Sequence, residues 1–125
     1  MDENAVARAV VRSAMRIHSA VGPGLLESVY EACIEHELLA ESVGVERQVA
    51  IPVRYKGVVI QAGYRLDLLI GGNVVVEVKA VEKLMPIHHA QVLSYLRLGG
   101  YKLGLLLNFN TVHMRDGIKR VVNAL

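Results

Sequence analysis

One stretch constrains this chain more than any other: Arg65-Leu66-Asp67-Leu68-Leu69-Ile70-Gly71-Gly72-Asn73-Val74-Val75-Val76-Glu77-Val78-Lys79. It reads as two short apolar strands joined by a Gly-Gly-Asn turn. Strand side chains alternate between faces, so Val74, Val76 and Val78 share one face and Val75, Glu77 and Lys79 the other. A three-residue loop pairs Ile70 with Val74 and sets Asp67 opposite Glu77, on the same face. Directly opposed residues have Cβ atoms about 4.5–5.5 Å apart. Two carboxylates that close repel unless something positive lies between them. A hard divalent cation is the natural candidate, because Mg²⁺ is held by one or two carboxylates plus phosphate oxygens. A two-residue loop would put Asp67 and Glu77 on opposite faces instead.

The flanking segments supply helices and further strands. Val6, Val10, Ser13/Ala14, Ile17 and Val21 recur at helical spacing over residues 2–20. Arg8, Arg12 and Arg16 form a basic stripe at steps of four, which is either a solvated face or a phosphate contact. His18 reads as a partner of the helix C-terminus or as a packed ring. After a break at Val21-Gly22-Pro23-Gly24, a second helix is expected over 25–41. Its apolar face holds Leu26, Val29/Tyr30, Cys33/Ile34 and Leu38, and Cys33 reads as a core thiol. Glu27 lies in its first turn, where the helix dipole favours a carboxylate.

Residues 46–55 alternate, with Val49, Ile51 and Val53 on one face. Lys56-Gly57 turns the chain into a long strand over 58–70, bent at Gly63, and a third strand covers 74–80. Connections this short make an antiparallel meander. A third helix starts at Pro86, runs to Leu98 and stops at Gly99-Gly100. His88, Gln91 and Tyr95 line up on one of its faces, as functional groups or as an ordinary half-buried edge. The apolar run over 103–109 is a strand buried on both faces. Following a helix, it should join the sheet in parallel by a right-handed crossover. The tail over 112–122 is expected as an edge hairpin, or as a strand and a short helix. The predicted fold is therefore α/β, a mixed β-sheet flanked by helices in the order ααβββαβ, forming one domain over 1–125.

A composition of 53% hydrophobic and 21% charged residues in 125 excludes disorder. A net charge of +2 permits a nucleic-acid partner without arguing for one. The single cysteine, Cys33, excludes an internal disulfide and fits a reducing compartment. The acidic, polar start is not a secretory signal, and no apolar run approaches a membrane span. The expected setting is cytoplasmic, with no membrane partner.

Asp67…Glu77-Val78-Lys79 is a weak motif alone, because Glu-x-Lys is common on strands. Its setting on the central hairpin, with two helices before it and a helix carrying Gln91-x-x-x-Tyr95 after it, resembles the PD-(D/E)XK nuclease superfamily. That superfamily has a restriction-endonuclease-like core. Gln91-Val92-Leu93-Ser94-Tyr95 resembles the QxxxY motif of its RecB-like branch. Gly24-Leu25-Leu26-Glu27-Ser28-Val29-Tyr30 is similar to the signature of the small GxxExxY proteins. The segments 21–24, 91–96 and 105–109 look like that family too. The resemblance covers nearly the whole chain. It departs at Leu66, which stands where the superfamily has proline before the first aspartate.

The resemblance implies a metal-dependent nuclease acting on DNA. Asp67 and Glu77 would bind Mg²⁺ or Mn²⁺, with the Val78 carbonyl as a further ligand and Glu27 reaching the metal directly or through water. Lys79 would orient or activate the attacking water and help neutralise the phosphate. Beside two carboxylates it should stay charged, which makes it an electrostatic stabiliser and not a base. Gln91 and Tyr95 would position the lysine or the substrate backbone. A homodimer or a partner protein would supply specificity, with Tyr64 or Tyr101 open to stacking on bases. Two rivals stand beside this reading. One is a catalytically silent nuclease fold serving as a nucleic-acid-binding or interaction module, though such decay would be expected to lose Asp67, Glu77 or Lys79. The other is a structural cluster of ion pairs, Lys79 with Glu77 and Arg65 with Asp67.

Overall fold

A computed structural model describes residues 1–61 and 63–125. The first helix, α1 (Glu3–Val21), is capped by Asp2, whose carboxylate accepts from the Ala5 N–H at 2.7 Å. Helix α2 covers Glu27–Ala40. The strands β1 (Val45–Ala50), β2 (Val53–Tyr55), β3 (Val58–Ile60), β4 (Arg65–Ile70) and β5 (Val74–Lys79) follow. Then come α3 (Pro86–Gly99), β6 (Leu103–Asn108), a 3₁₀ turn at Met114–Gly117 and β7 (Ile118–Val122).

Five strands form one mixed sheet in the order β1-β4-β5-β6-β7. Only the β5–β6 pairing in it is parallel, as a strand returning after a helix should be. The two faces of the sheet are both covered. On one, Val6, Val10, Tyr30, Ile34 and Leu38 of α1 and α2 bury Leu68, Ile70, Val74, Val76 and Val78. On the other, Val92, Tyr95 and Leu96 of α3 bury Leu66, Leu69, Val75 and Leu106. The alternation along β5 thus divides its valines between two cores, which is why the strand reads as almost continuously apolar.

The central hairpin has the three-residue loop. Ile70 pairs with Val74, Leu69 with Val75 and Leu68 with Val76. The turn packs under α1: a Cβ on Gly71, at φ +60°, would lie 3.0 Å from Val6 Cγ2.

Two expected strands are interrupted. The strand over 46–55 divides at Ile51-Pro52, because proline has no N–H for the ladder. The strand over 58–70 divides between Ile60 and Arg65, and Gly63 takes φ +75°. Ala62, inside that expected strand, lies outside the described residues. β2 and β3 leave the main sheet as a separate two-stranded hairpin. β1 and β4 resume the meander with β5 on either side of that insertion. The tail takes the edge position beside β6, with its short helix before the strand.

The basic stripe of α1 is partly spent on structure, since Arg16 reaches Glu37 at 3.4 Å and Glu41 at 3.3 Å on α2. His18 is a packed ring, with Nε2 2.7 Å from the Thr111 carbonyl. Cys33 packs half-buried against the core under α1 and α2. Among the described residues no helix is long and apolar enough to cross a membrane.

Candidate active site

The central hairpin opens at its charged residues. Leu66 and Leu68 are two positions apart on β4, yet they bury into opposite cores. Val45 and Val49 on the neighbouring β1 do the same. Between those two valines stands Gln48 at φ +54°, a left-handed residue inside a strand, aligned with Asp67. Such a residue interrupts the pleat and turns the strand, as a bulge does. The β4–β5 pairing ends with Leu68 and Val76. Beyond it the carboxylates replace the ladder. The Asp67 N–H donates to Glu77 Oε1 at 3.1 Å, and the Val78 N–H donates to Asp67 Oδ2 at 2.9 Å. Asp67 and Glu77 are therefore neighbours in the expected register, but they do not stand up from an unbroken sheet face. They lie across the seam between two diverging strands. A strand residue directs its N–H and C=O to the same side, so the Val78 carbonyl also faces this seam.

The pair is electrostatically uncompensated. Glu77 is 3% exposed. Burial, and then the charge of Asp67, push its carboxyl up to about 9, so in the metal-free protein it holds a proton at neutral pH. Lys79 follows Glu77 by two residues at the end of β5, half-buried, and pulls the other way more weakly. Arg65 is engaged elsewhere, donating from Nη1 to the Gln48 carbonyl at 3.2 Å. Among the described residues neither Lys79–Glu77 nor Arg65–Asp67 forms an ion pair. The structural ion-pair reading fails on that geometry.

Glu27 reaches the same end of β5 from the first turn of α2, and its Oε2 accepts from the Ala80 N–H at 3.0 Å. Its place is fixed by Tyr30, one turn on. The Tyr30 ring is fully buried and stacks on Phe109 with centroids 4.2 Å apart. Its hydroxyl donates to the Gly22 carbonyl at 2.6 Å and accepts from the Leu25 N–H at 3.1 Å. In this way the Gly-x-x-Glu-x-x-Tyr spacing becomes a brace: the tyrosine ties down the loop that aims the glutamate. Tyr30→Phe should remove both hydrogen bonds that hold the Gly22–Leu25 loop and cost about 0.5–1.5 kcal/mol. A thermal melt unchanged from wild type would remove Tyr30 from this role.

Sequence reading missed Glu31. It is 6% exposed, accepts from Gln48 Nε2 at 3.1 Å and lies 4.0 Å from Arg47 Nη2. Burial and then Asp67 hold its carboxyl above the usual range. The available signal was its spacing of four from Glu27, which puts both on one helix face. Asn108 was missed as well. Buried beside Lys79 in the β5–β6 register, it accepts from the Val81 and Asn110 N–H groups and donates to the Val81 carbonyl, fixing the exit from β5.

On the α3 side, Tyr95 is 7% exposed, and burial followed by the charges of Glu77 and Asp67 raises its hydroxyl above the ordinary value. Its ring lies 6.1 Å from that of Tyr64, centroid to centroid. Gln91 is exposed, and shares a shallow groove with Tyr64, Ser94 and Tyr95. His88 serves the helix start, accepting from the Met85 N–H through Nδ1 at 2.9 Å.

The donor set suits a hard cation. It consists of oxygens, and no cationic side chain among the described residues is bonded to the two closest carboxyls. Among the described residues no three His, Cys, Asp or Glu side chains converge on one point. A cation there would complete its shell with backbone, water or substrate oxygens.

A mixed sheet between helical layers, with paired carboxylates where its central hairpin parts, defines a class of α/β protein with a strand-end oxygen-donor site. The chain belongs to the PD-(D/E)XK nuclease superfamily, whose family model matches residues 4–121. No curated protein and no solved structure matches it.

Proposed function

We propose that this protein is a metal-dependent nuclease that hydrolyses phosphodiester bonds, DNA first among its substrates. It would be a GxxExxY-type member of the RecB-like branch. The observation that carries the reading is the buried Glu77 carboxyl set against half-buried Asp67, with no cationic side chain bonded to either. A purely structural site has no need to keep an acid whose burial beside Asp67 raises its carboxyl to about 9, because that raised value costs stability at neutral pH.

In this reading Asp67, Glu77 and the Val78 carbonyl hold Mg²⁺ or Mn²⁺, and Glu27 supports its water shell. When bound, the cation neutralises the phosphate, lowers the pKa of a water and fixes the scissile group. To serve as a ligand Glu77 would have to be deprotonated, its proton passing to solvent. Lys79, at the mouth of the seam, orients the attacking water and stabilises the charge that grows on the phosphate. The Tyr95 hydroxyl and the exposed Gln91 amide hold the substrate backbone against α3. Asn108 and Tyr30 touch no reacting atom; they position Lys79 and Glu27.

Calorimetry with Mg²⁺ and then Mn²⁺ tests this without a guess about sequence specificity. Wild type should bind, and the Asp67→Asn/Glu77→Gln double variant should not. Cleavage of single-stranded DNA, duplex DNA and RNA follows with the same pair of proteins. Well-folded wild type that binds neither metal, alone or with an oligonucleotide present, sinks the reading.

A further inference from the structure

The β2–β3 hairpin projects from the main sheet, and the core does not account for it. Every residue from Arg54 to Ile60 is exposed, with Tyr55 at 60% and Val58 at 59%. An isolated two-stranded ribbon is marginally stable in water. Its charge is one-sided. Residues 47–66 carry Arg47, Arg54, Lys56 and Arg65 and no acid, whereas the rest of the chain has ten cations against twelve carboxylates.

The turn adds a second observation. Lys56 and Gly57 both have positive φ, +48° and +79°, so Tyr55–Val58 is a two-residue turn of the I′ kind. Asn-Gly is the favoured pair there, and a lysine in the left-handed region is strained. The tip thus spends stability on holding a cation outward, with Lys56 Nζ 5.4 Å from the Tyr55 ring centroid.

The arm is continuous with the candidate active site. It grows from the β1–β4 ladder, whose last bond runs from Ile51 N–H to the Tyr64 carbonyl at 2.9 Å. Tyr64, three residues before Asp67, lies with its ring centroid 6.1 Å from that of Tyr95. Nine residues separate Asp67 from Val58, so the tip stands at most about 30 Å from the seam.

We infer that the β2–β3 arm grips single-stranded nucleic acid on its way to the Asp67–Glu77 seam, with phosphates on Arg54 and Lys56 and unpaired bases against Tyr55 and Tyr64. Exposed aromatics interleaved with cations suit unpaired bases, which offer their π-faces. A duplex would leave the aromatics without partners. The inference rests on the nucleic-acid reading above and gives it a substrate form.

The test is fluorescence anisotropy of the full chain in EDTA, with labelled single-stranded DNA of about 20 nucleotides, longer than the roughly 30 Å reach, and with its duplex. Arg54→Ala/Lys56→Asn keeps a favourable turn residue. It should weaken single-strand binding tenfold or more and lower the slope of log affinity against log salt by about 1.4. Tyr55→Ala should weaken single-strand binding by about five- to a hundredfold and duplex binding less. Unchanged affinity and slope in the first variant, or equal losses for both DNA forms in the second, overturn the inference. So does sedimentation showing a dimer that Val59→Lys dissociates, which would assign the arm to a second copy of the chain. The two readings fail separately. Cleavage by the arm variant at the wild-type rate removes the arm and leaves the nuclease. Arm-dependent binding with no cleavage in Mg²⁺ or Mn²⁺ does the reverse.

Discussion

Glu77→Gln in the metal-free protein is expected to raise the melting temperature near pH 7.5 by on the order of 10 °C, while abolishing metal binding. Glu77 has a folded-state carboxyl raised from 4.5 to about 9 by burial and by Asp67. A raised carboxyl reverses the usual acid dependence. Its stabilising contribution is complete below pH 4.5 and is lost as pH rises toward 9, because the unfolded chain releases the proton first. The loss is about 1.4 kcal/mol per pH unit within that window. Glutamine mimics the protonated acid at every pH. Its carbonyl can still accept from the Asp67 N–H, and its amide can donate to the Asp67 carboxylate. Melts of both proteins in EDTA from pH 5 to 8.5 should therefore diverge as pH rises. Added Mg²⁺ should restore the wild type increasingly above neutrality and leave Glu77→Gln unmoved. Parallel pH profiles would show that Glu77 is ionised or solvated in the native state, and would remove the electrostatic case for the site.

Lys79→Met is expected to lower phosphodiester cleavage by about two to four orders of magnitude, the range for losing a group that assists in the transition state. Metal affinity should change by less than about tenfold, because the ligand oxygens remain. Methionine keeps the length and the apolar stem of the side chain, so the β5–β6 register opposite Asn108 is preserved. The split between cleavage and metal binding separates Lys79 from Asp67 and Glu77, whose loss should remove both. The pH profile adds a second readout. A lysine acting through its charge leaves the slope with pH unchanged, whereas a lysine acting as a base removes a limb of the profile. Full cleavage by Lys79→Met would exclude Lys79 from the chemistry.

Much of the fold was legible because hydrophobic period and turn residues are local signals. Gly71-Gly72-Asn73 marked the hairpin turn, Pro86 and Gly99-Gly100 bounded α3, and the unbroken apolar run announced the buried parallel strand β6. The two strand interruptions were not legible in full. Val49, Ile51 and Val53 keep a strand period through Pro52, and the period does not say where a strand leaves its sheet. The β2–β3 arm was hidden for that reason: its alternation is that of a core strand, and only the absence of a covering layer shows that it is exposed.

For the site, the chain alone placed two acids and a lysine on one central hairpin and left open the loop length that decides whether Asp67 and Glu77 share a face; the structure has the three-residue loop. Only tertiary structure decided how they meet. Gln48, on a different strand, takes a left-handed turn at the level of Asp67, the β4–β5 pairing ends at Leu68 and Val76, and the carboxylates cross the seam beyond it. Glu31 and Asn108 enter through packing of α2 and β6 against that seam. Those contacts join residues far apart in the chain, and the energy that fixes them is burial, which no single segment carries within itself.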